Sequence, residues 1–320
     1  MKISLITPAK KQSRAGNRTT AVRWAAILRR LGHRVAVSDV YDGAPADMMV
    51  ALHAWRSAEA VERFYGLYPD RPLVVALTGT DIYRFQKSHP GITARSMELA
   101  DALVCLHDQV YRDIPRGFRA KLHVIHQSAK PLPRRSAPAK RHFEVCVIGH
   151  LREEKDPLRA ALAARRLTLT SRIRVIHAGK AIDRSWVLRA EAEMARNARY
   201  LWLGDVPGWR VRRLMGRSRL MVISSRMEGG ANVVSEAIVA GLPVIGSDIA
   251  GNVGLLGEDY PGTYPVEDTD ALRRLLERAE FEPGFLGKLK RHCRERRFLF
   301  RPGAEFAAWK GLVARLTKPG

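Results

Sequence analysis

Short, mostly apolar runs alternate with amphipathic stretches along almost the whole chain, and they do so in two series. In the first series Ile3–Thr7, Arg34–Ser38, Asp47–Leu52, Leu73–Leu77, Ala102–Leu106 and Leu122–Ile125 read as strands. Helical patterns lie between them over Arg18–Leu31, Trp55–Tyr68 and Ile92–Ala100, with a short one near Gln109–Ile114. A strand with one solvated face alternates apolar and polar residues. Runs apolar at nearly every position belong to a sheet covered on both faces, which means a parallel sheet with crossover helices. The series then breaks at Lys130–Arg141, KPLPRRSAPAKR, whose prolines and basic residues mark a linker or exposed crossover. Beyond it strands are expected at Phe143–Ile148, Ile173–His177, Tyr200–Leu203, Leu220–Ser224 and Pro243–Gly246, with a last short one near Thr263–Val266. Helices are expected at Pro157–Leu167, Arg184–Arg196, Gly208–Arg217, Asn232–Ala240, Asp270–Glu280 and Pro283–Phe298.

Two α/β domains follow, residues 1–136 and 137–301. The amphipathic segment 302–317 carries Phe306, Trp309, Leu312, Val313 and Leu316 on one face. It either closes the second domain or crosses back, and we take it to complete the first. Ligands of such sheets bind beyond the carboxyl ends of the strands, so a cleft between the two domains is the expected active site.

Charge narrows the partner. The 320 residues hold 55 Lys and Arg against 32 Asp and Glu, a net charge of +23, yet 46% are hydrophobic. That excludes a disordered polycation and points to an anionic partner: nucleic acid, an acidic membrane surface or a small phosphorylated substrate. The cations are spread along the chain, with the densest stretches at Arg210–Arg219 and Arg294–Arg301. A nucleic-acid arm is more often one contiguous basic run, so no nucleic-acid partner is expected. Cys105, Cys146 and Cys293 stand far apart, with no C-x-x-C and no disulfide framework. The apolar run Ile3–Ile6 ends before Pro8, too short for a signal peptide, and no apolar stretch is long enough to span a membrane. A cytoplasmic protein without stable membrane association is the expectation.

Four segments carry chemistry. In Ser224–Asp248, SSRMEGGANVVSEAIVAGLPVIGSD, a strand ends, a loop carries Glu228, Gly229 and Gly230, and a helix begins near Asn232 and carries Glu236. The glycines let backbone N–H groups approach an anion at a helix N-terminus, and the two carboxylates suit sugar hydroxyls. The plainer reading is a helix start with a glycine turn and an acidic first turn. Val147–Asp156, VIGHLREEKD, sets Gly149, His150, Arg152 and Lys155 after a strand. Thr7–Thr20, TPAKKQSRAGNRTT, is a basic loop between the first strand and helix, where Lys10, Lys11, Arg14 and Arg18 converge with Gly16 and Asn17. A strand–loop–helix of this kind holds an anion, although neither G-x-G-x-x-G nor a P-loop is present. Leu77–Arg84, LTGTDIYR, places Thr80 and Asp81 at a strand end, where Asp81 fits a turn that caps the next helix. His53 and Arg56 follow the third strand, and His53 is a candidate general base. Asp268-Thr-Asp270 reads as a helix N-cap.

Glu228-x7-Glu236, followed by AIVAGLPVIGSD, resembles the signature of nucleotide-sugar glycosyltransferases with two Rossmann-like domains, the GT-B fold, and especially their family 4. The resemblance implies that Glu228 contacts the donor sugar, Glu236 the ribose, and the amides of Gly229, Gly230, Ala231 and Asn232 the diphosphate. Relatives usually read G-R-L-x-x-x-K-G where this chain has GHLREEKD. Lys155 matches the lysine that neutralises the departing diphosphate, and His150 stands in place of the arginine. Arg152 or Arg226 is the expected substitute. In such enzymes the first loop and the Thr80–Asp81 turn face the acceptor. No metal or other cofactor is expected. The pieces TPAKKQSRAGNRTTAVRW, TGTDIYR, GHLREEKDP and SSRMEGGANVVSEAI with SDIAGNVGLLG together look like the selenosugar synthases of selenoneine biosynthesis. That resemblance implies a UDP-sugar donor, commonly UDP-N-acetylglucosamine, and selenophosphate as acceptor. The other reading is a GT-B enzyme with a saccharide or lipid-linked acceptor.

Overall fold

The computed structural model describes residues 1–11, 16–132 and 137–317. The chain divides into two compact units. The first runs from Met1 to Gln127 and takes in Glu228–Ala231 and the C-terminal segment from Pro302; the second holds Ser128–Met227 and Asn232–Arg301.

The first unit contains β1 (Lys2–Ile6), α1 (Gly16–Arg30), β2 (Arg34–Ser38), β3 (Met48–Leu52), α2 (Ala58–Leu67), β4 (Leu73–Leu77), α3 (Gln86–Ser88), α4 (Pro90–Leu99), β5 (Ala102–Cys105), α5 (Val110–Asp113) and β6 (Leu122–Val124). A wide helical turn, Asp81–Phe85, leads into α3. The six strands form one parallel sheet in the order β2-β1-β3-β4-β5-β6, so all carboxyl ends lie on one edge. Every residue of β3, β4 and β5 is buried, which is why the sequence shows no apolar–polar alternation there. Trp24, Leu28 and Trp309 belong to the core cluster on one face, and Phe64, Met97 and Leu77 to that on the other.

The C-terminal helix, numbered α13 (Pro302–Leu316), packs on α1. The indoles of Trp24 and Trp309 meet edge to face at 4.8 Å. The Trp24 Nε1–H donates to the buried carboxylate of Glu305 at 2.8 Å, and Arg23 Nε donates to the same oxygen at 3.1 Å. Glu305 thus brings a partner for the indole that the apolar interface would otherwise strand.

The second unit contains β7 (Phe143–Ile148), α6 (Arg159–Arg165), β8 (Ile173–Ala178), α7 (Arg184–Arg196), β9 (Tyr200–Trp202), α8 (Gly208–Arg217), β10 (Leu220–Ile223), α9 (Asn232–Val239), β11 (Val244–Ser247), α10 (Ala250–Leu256), β12 (Thr263–Tyr264), α11 (Thr269–Phe281) and α12 (Pro283–Arg296). Its sheet is also parallel, in the order β12-β11-β10-β7-β8-β9. The helix α10 is the element that propensity hides. Gly251 and Gly254 each weaken it by about 1 kcal/mol relative to Ala, and burial of Leu255 and Leu256 compensates. Asp268 caps α11, accepting the Ala271 N–H at 2.8 Å.

Much of the arginine excess has a structural use. Arg296 donates to the carbonyls of Leu255 and Gly254, the end of α10, at 2.8 Å each. Arg199 reaches the carbonyls of Ser171 and Thr168, Arg71 that of Ala46, and Arg212 that of Pro131. A guanidinium offers five fixed donors and satisfies carbonyls that no strand or helix can reach.

Candidate active site

The carboxyl edge of the second sheet gathers most of the expected donor residues. Gly149 follows β7, and Gly179 follows β8. A Cβ on Gly179 would overlap the Gly149 carbonyl, so the two turns can approach this closely only with glycine at 179. His150 is half-buried, and its Nδ1 accepts the Lys180 N–H at 3.2 Å. Burial and then the charge of Arg152, with smaller contributions from Lys155 and Lys180 and with Asp205 opposing, hold His150 below the ordinary imidazole range, so it is neutral at pH 7. The arginine position of the motif therefore holds a neutral ring that feels three cations, Arg152, Lys155 and Lys180, and one carboxylate, Asp205. Lys180 is the one the motif reading missed. It stands after β8 as His150 stands after β7, so the carboxyl-end rule alone would have found it.

Lys155 ends a short 3₁₀ turn, Glu153–Lys155. Its backbone is held on both sides: its N–H donates to Arg152 O at 3.0 Å, and its C=O accepts from Ser224 Oγ at 3.2 Å. Asp156 follows in the left-handed region at φ 42° and accepts Arg159 Nε at 2.7 Å. Arg226 is engaged with carboxylates. It pairs with Glu153 at 3.1 Å and with Glu267, and its N–H donates to Glu154 O at 2.8 Å. Arg226 thus braces the Glu153–Lys155 turn, whereas Arg152 Nε lies 4.0 Å from the Glu154 carboxylate. Glu236 lies in the second turn of α9, which Asn232 begins. Gly230 adopts φ +122°, a backbone that a residue with a side chain rarely takes. Glu228, Gly229, Gly230 and Ala231 group with the first unit, Asn232 and Glu236 with the second.

The first unit holds the described residues expected on the acceptor side. Lys10 and Lys11 are exposed, Gly16 opens α1, and Asn17 and Arg18 lie half-buried in its first turn. Arg14 lies outside the described residues. The first turn of α1 carries no acid, and Arg18 Nε is buried with no hydrogen-bond partner among the described residues. Thr20 Oγ donates to Gly16 O at 2.9 Å and accepts from Gln127 Nε2 at 2.6 Å, which ties the start of α1 to the end of β6.

His53 sits at φ 77° after β3, 1% exposed. Its Nδ1 accepts the Arg56 N–H at 3.1 Å, so Nε2 carries the proton and donates to Thr80 Oγ at 2.9 Å. Burial lowers its pKa, with Asp81 opposing. Both ring nitrogens are therefore occupied, and the pair His53–Thr80 reads as a turn fastener. Asp81 is fully buried and accepts the N–H groups of Thr78, Gly79, Ile82 and Ala54.

The family model for glycosyl transferases group 1 matches residues 130–297. The chain belongs to the group 1 glycosyltransferases. No curated protein matches this glycosyltransferase by sequence. Among solved structures it is similar to Anabaena HepE in complex with UDP and glucose, at 14% identity over 98% of this chain and 100% of that one, TM-score 0.77. It is similar to sucrose-phosphate synthase from Thermosynechococcus elongatus, at 15% identity over 99% of each chain, TM-score 0.78. A glycosyltransferase from Rickettsia africae aligns at 13% identity over 100% of this chain and 99% of that one, TM-score 0.74. At these identities the likeness is one of fold, and the fold is GT-B. Among the described residues of this glycosyltransferase, no helix is long and apolar enough to cross a membrane.

Proposed function

We propose that this group 1 glycosyltransferase moves a sugar from a UDP-sugar, with UDP-N-acetylglucosamine the expected donor, to selenophosphate. The observation that carries the donor side is the set of Arg152, Lys155 and Lys180, three cations against the one carboxylate of Asp205, that acts on a neutral His150 at one strand edge. That set suits a diphosphate whose charge grows as it departs, and charge stabilisation of this kind is often the largest catalytic contribution. In this reading Glu236 holds the ribose, the amides from Gly229 to Asn232 and Lys155 hold the diphosphate, and Glu228 takes the sugar hydroxyls. Gly149 and His150 line the donor, with Arg152 as second cation and Arg226 bracing the turn.

On the acceptor side, Lys10, Lys11, Arg14 and Arg18, with Gly16 and Asn17 at the acid-free start of α1, suit a small phosphorylated anion. The ionised selenium is a strong nucleophile, so catalysis rests on positioning and on the leaving group. The C1–O bond to UDP breaks as the Se–C1 bond forms. Water then cleaves the Se–P bond, leaving a 1-selenosugar and phosphate. No metal is assigned a role, and activity should persist in a chelator.

The test is UDP release from UDP-N-acetylglucosamine with selenophosphate, thiophosphate, phosphate and glucose as acceptors. Release with selenophosphate, and a 1-selenosugar in the product, is the expected result. Turnover with a saccharide or lipid-linked acceptor alone would overturn the acceptor assignment and leave the donor assignment standing.

A further inference from the structure

The second unit holds a cavity beside the Lys155 turn. Its volume is about 550 Å³, and residues from Glu153 to Leu162 and from α7 line it. Glu153, Asp156 and Arg226 belong to its lining; Gly149, His150, Lys155 and Glu236 do not, so it is distinct from the donor residues. A cavity of this size takes a small molecule, with apolar walls for its body and a few polar groups to orient it.

Spacing turns one stripe of α7 toward this space. Trp186, Arg189, Ala192 and Arg196 all line it, at intervals of three, three and four residues, so they share one helix face. Ala192, a small side chain, stands between the two arginines and leaves room there. Leu158 and Leu162 add an apolar wall from the start of α6.

Charge is balanced at one part of the lining and not at the other. Both lining carboxylates are matched: Glu153 pairs with Arg226 at 3.1 Å, and Asp156 with Arg159 at 2.7 Å. On α7 the cations are in excess. Arg196 shares the buried carboxylate of Glu193 with Arg165, two cations on one anion. Arg189 makes no hydrogen bond or ion pair among the described residues, and its guanidinium lies over the Trp186 ring, 4.1 Å from the centroid. That contact orients the planar fork and leaves its five N–H donors unspent. Arg189 is exposed, so an arriving anion can reach it. Carboxylate and phosphate oxygens match such a fork two at a time.

We propose that this cavity binds a small organic anion, a carboxylate or phosphate carried on an apolar body. Arg189 takes the anionic oxygens, Trp186 positions its guanidinium, and Leu158 and Leu162 cover the body. The proposal holds whichever molecule receives the sugar, because the site contains neither the donor nor the acceptor residues assigned above.

The probes are phenyl phosphate, benzoate, inorganic phosphate and benzyl alcohol, titrated calorimetrically into the full chain with and without UDP. Phenyl phosphate or benzoate should bind about tenfold more tightly than inorganic phosphate, which lacks the body, and than benzyl alcohol, which lacks the charge. The tighter of the two shows whether the site is built for phosphate or carboxylate. Arg189→Met keeps the apolar stem over Trp186 and removes the guanidinium. It should weaken the tighter probe about tenfold with the Tm unchanged, and Arg189→Lys should recover only part of the loss. The Trp186 Nε1–H signal in NMR, identified by its disappearance in Trp186→Phe, should shift with the probe in wild-type protein and stay still in Arg189→Met. Equal affinity in wild type and Arg189→Met overturns the proposal. Displacement of the probe by UDP also overturns it, since that places the probe among the donor residues. Failure of both phenyl phosphate and benzoate to bind at about 10 mM overturns it as well.

Discussion

Asp81, just after β4, accepts the backbone N–H of Ala54, just after β3, at 3.2 Å. The same carboxylate takes Thr78 N–H at 3.0 Å and Gly79 N–H at 2.7 Å. A buried carboxylate fed by several amides is a knot holding two turns in register. Asp81→Ala should therefore cost about 3 kcal/mol or more, since several charge-assisted hydrogen bonds go at once. Urea denaturation checks it. A variant of normal stability with only a raised acceptor KM would show that Asp81 binds substrate instead.

Lys155 is held by its backbone, through Arg152 O and Ser224 Oγ, and in the proposed reading its side chain meets the diphosphate. Lys155→Ala should lower kcat about 10²- to 10³-fold with little change in UDP affinity or Tm. Lys180→Ala and Arg152→Ala should each do less, because the other cations remain. Steady-state kinetics with calorimetric UDP binding separates the two effects.

Trp309 fills the space against Trp24 and is fully buried. Trp309→Ala should destabilise the protein by about 3–5 kcal/mol, as large aromatic truncations do. Chemical denaturation followed by tryptophan fluorescence measures it.

Acid stability follows from two buried histidines. Burial holds His107 and His177 at about 4. His177 is neutral, donating from Nε2 to Gly149 O at 3.0 Å and accepting at Nδ1 from Tyr200 O–H at 3.0 Å. Unfolded histidine titrates near 6.5, so between pH 6.5 and 4 the unfolded chain binds more protons. Stability from these groups is fully present above pH 6.5. It falls through that window by up to about 1.4 kcal/mol per pH unit for each ring. Urea midpoints between pH 7 and pH 4 should fall accordingly, and His177→Gln should flatten the slope.

Arg296 closes the end of α10 through two carbonyls. Arg296→Ala should cost about 1–2 kcal/mol, and Arg296→Lys should recover only part of it, because a single ammonium cannot reproduce the planar fork. Thermal melts of the three proteins make the comparison.

The two parallel sheets were legible because fully buried strands leave unbroken apolar runs, as in Leu73–Leu77 and Val145–Ile148. The helix α10 was not, because its glycines argue against it and only tertiary burial argues for it. The site was legible where residues lie together in sequence, as Gly149 to Lys155 do. Tyr83 and His107 were not, because the sheet order, absent from any local pattern, brings them within 3.3 Å of each other.

The return of α13 to α1 has a consequence during synthesis. The ribosome makes all six strands of the first unit early, yet the helix that covers Trp24 arrives only after the whole second unit has been translated. Through that interval the Trp24 face stands open, so the second unit must fold beside an unfinished neighbour. Chaperone capture of nascent chains should be strongest in that window and should end when residues 302–316 emerge.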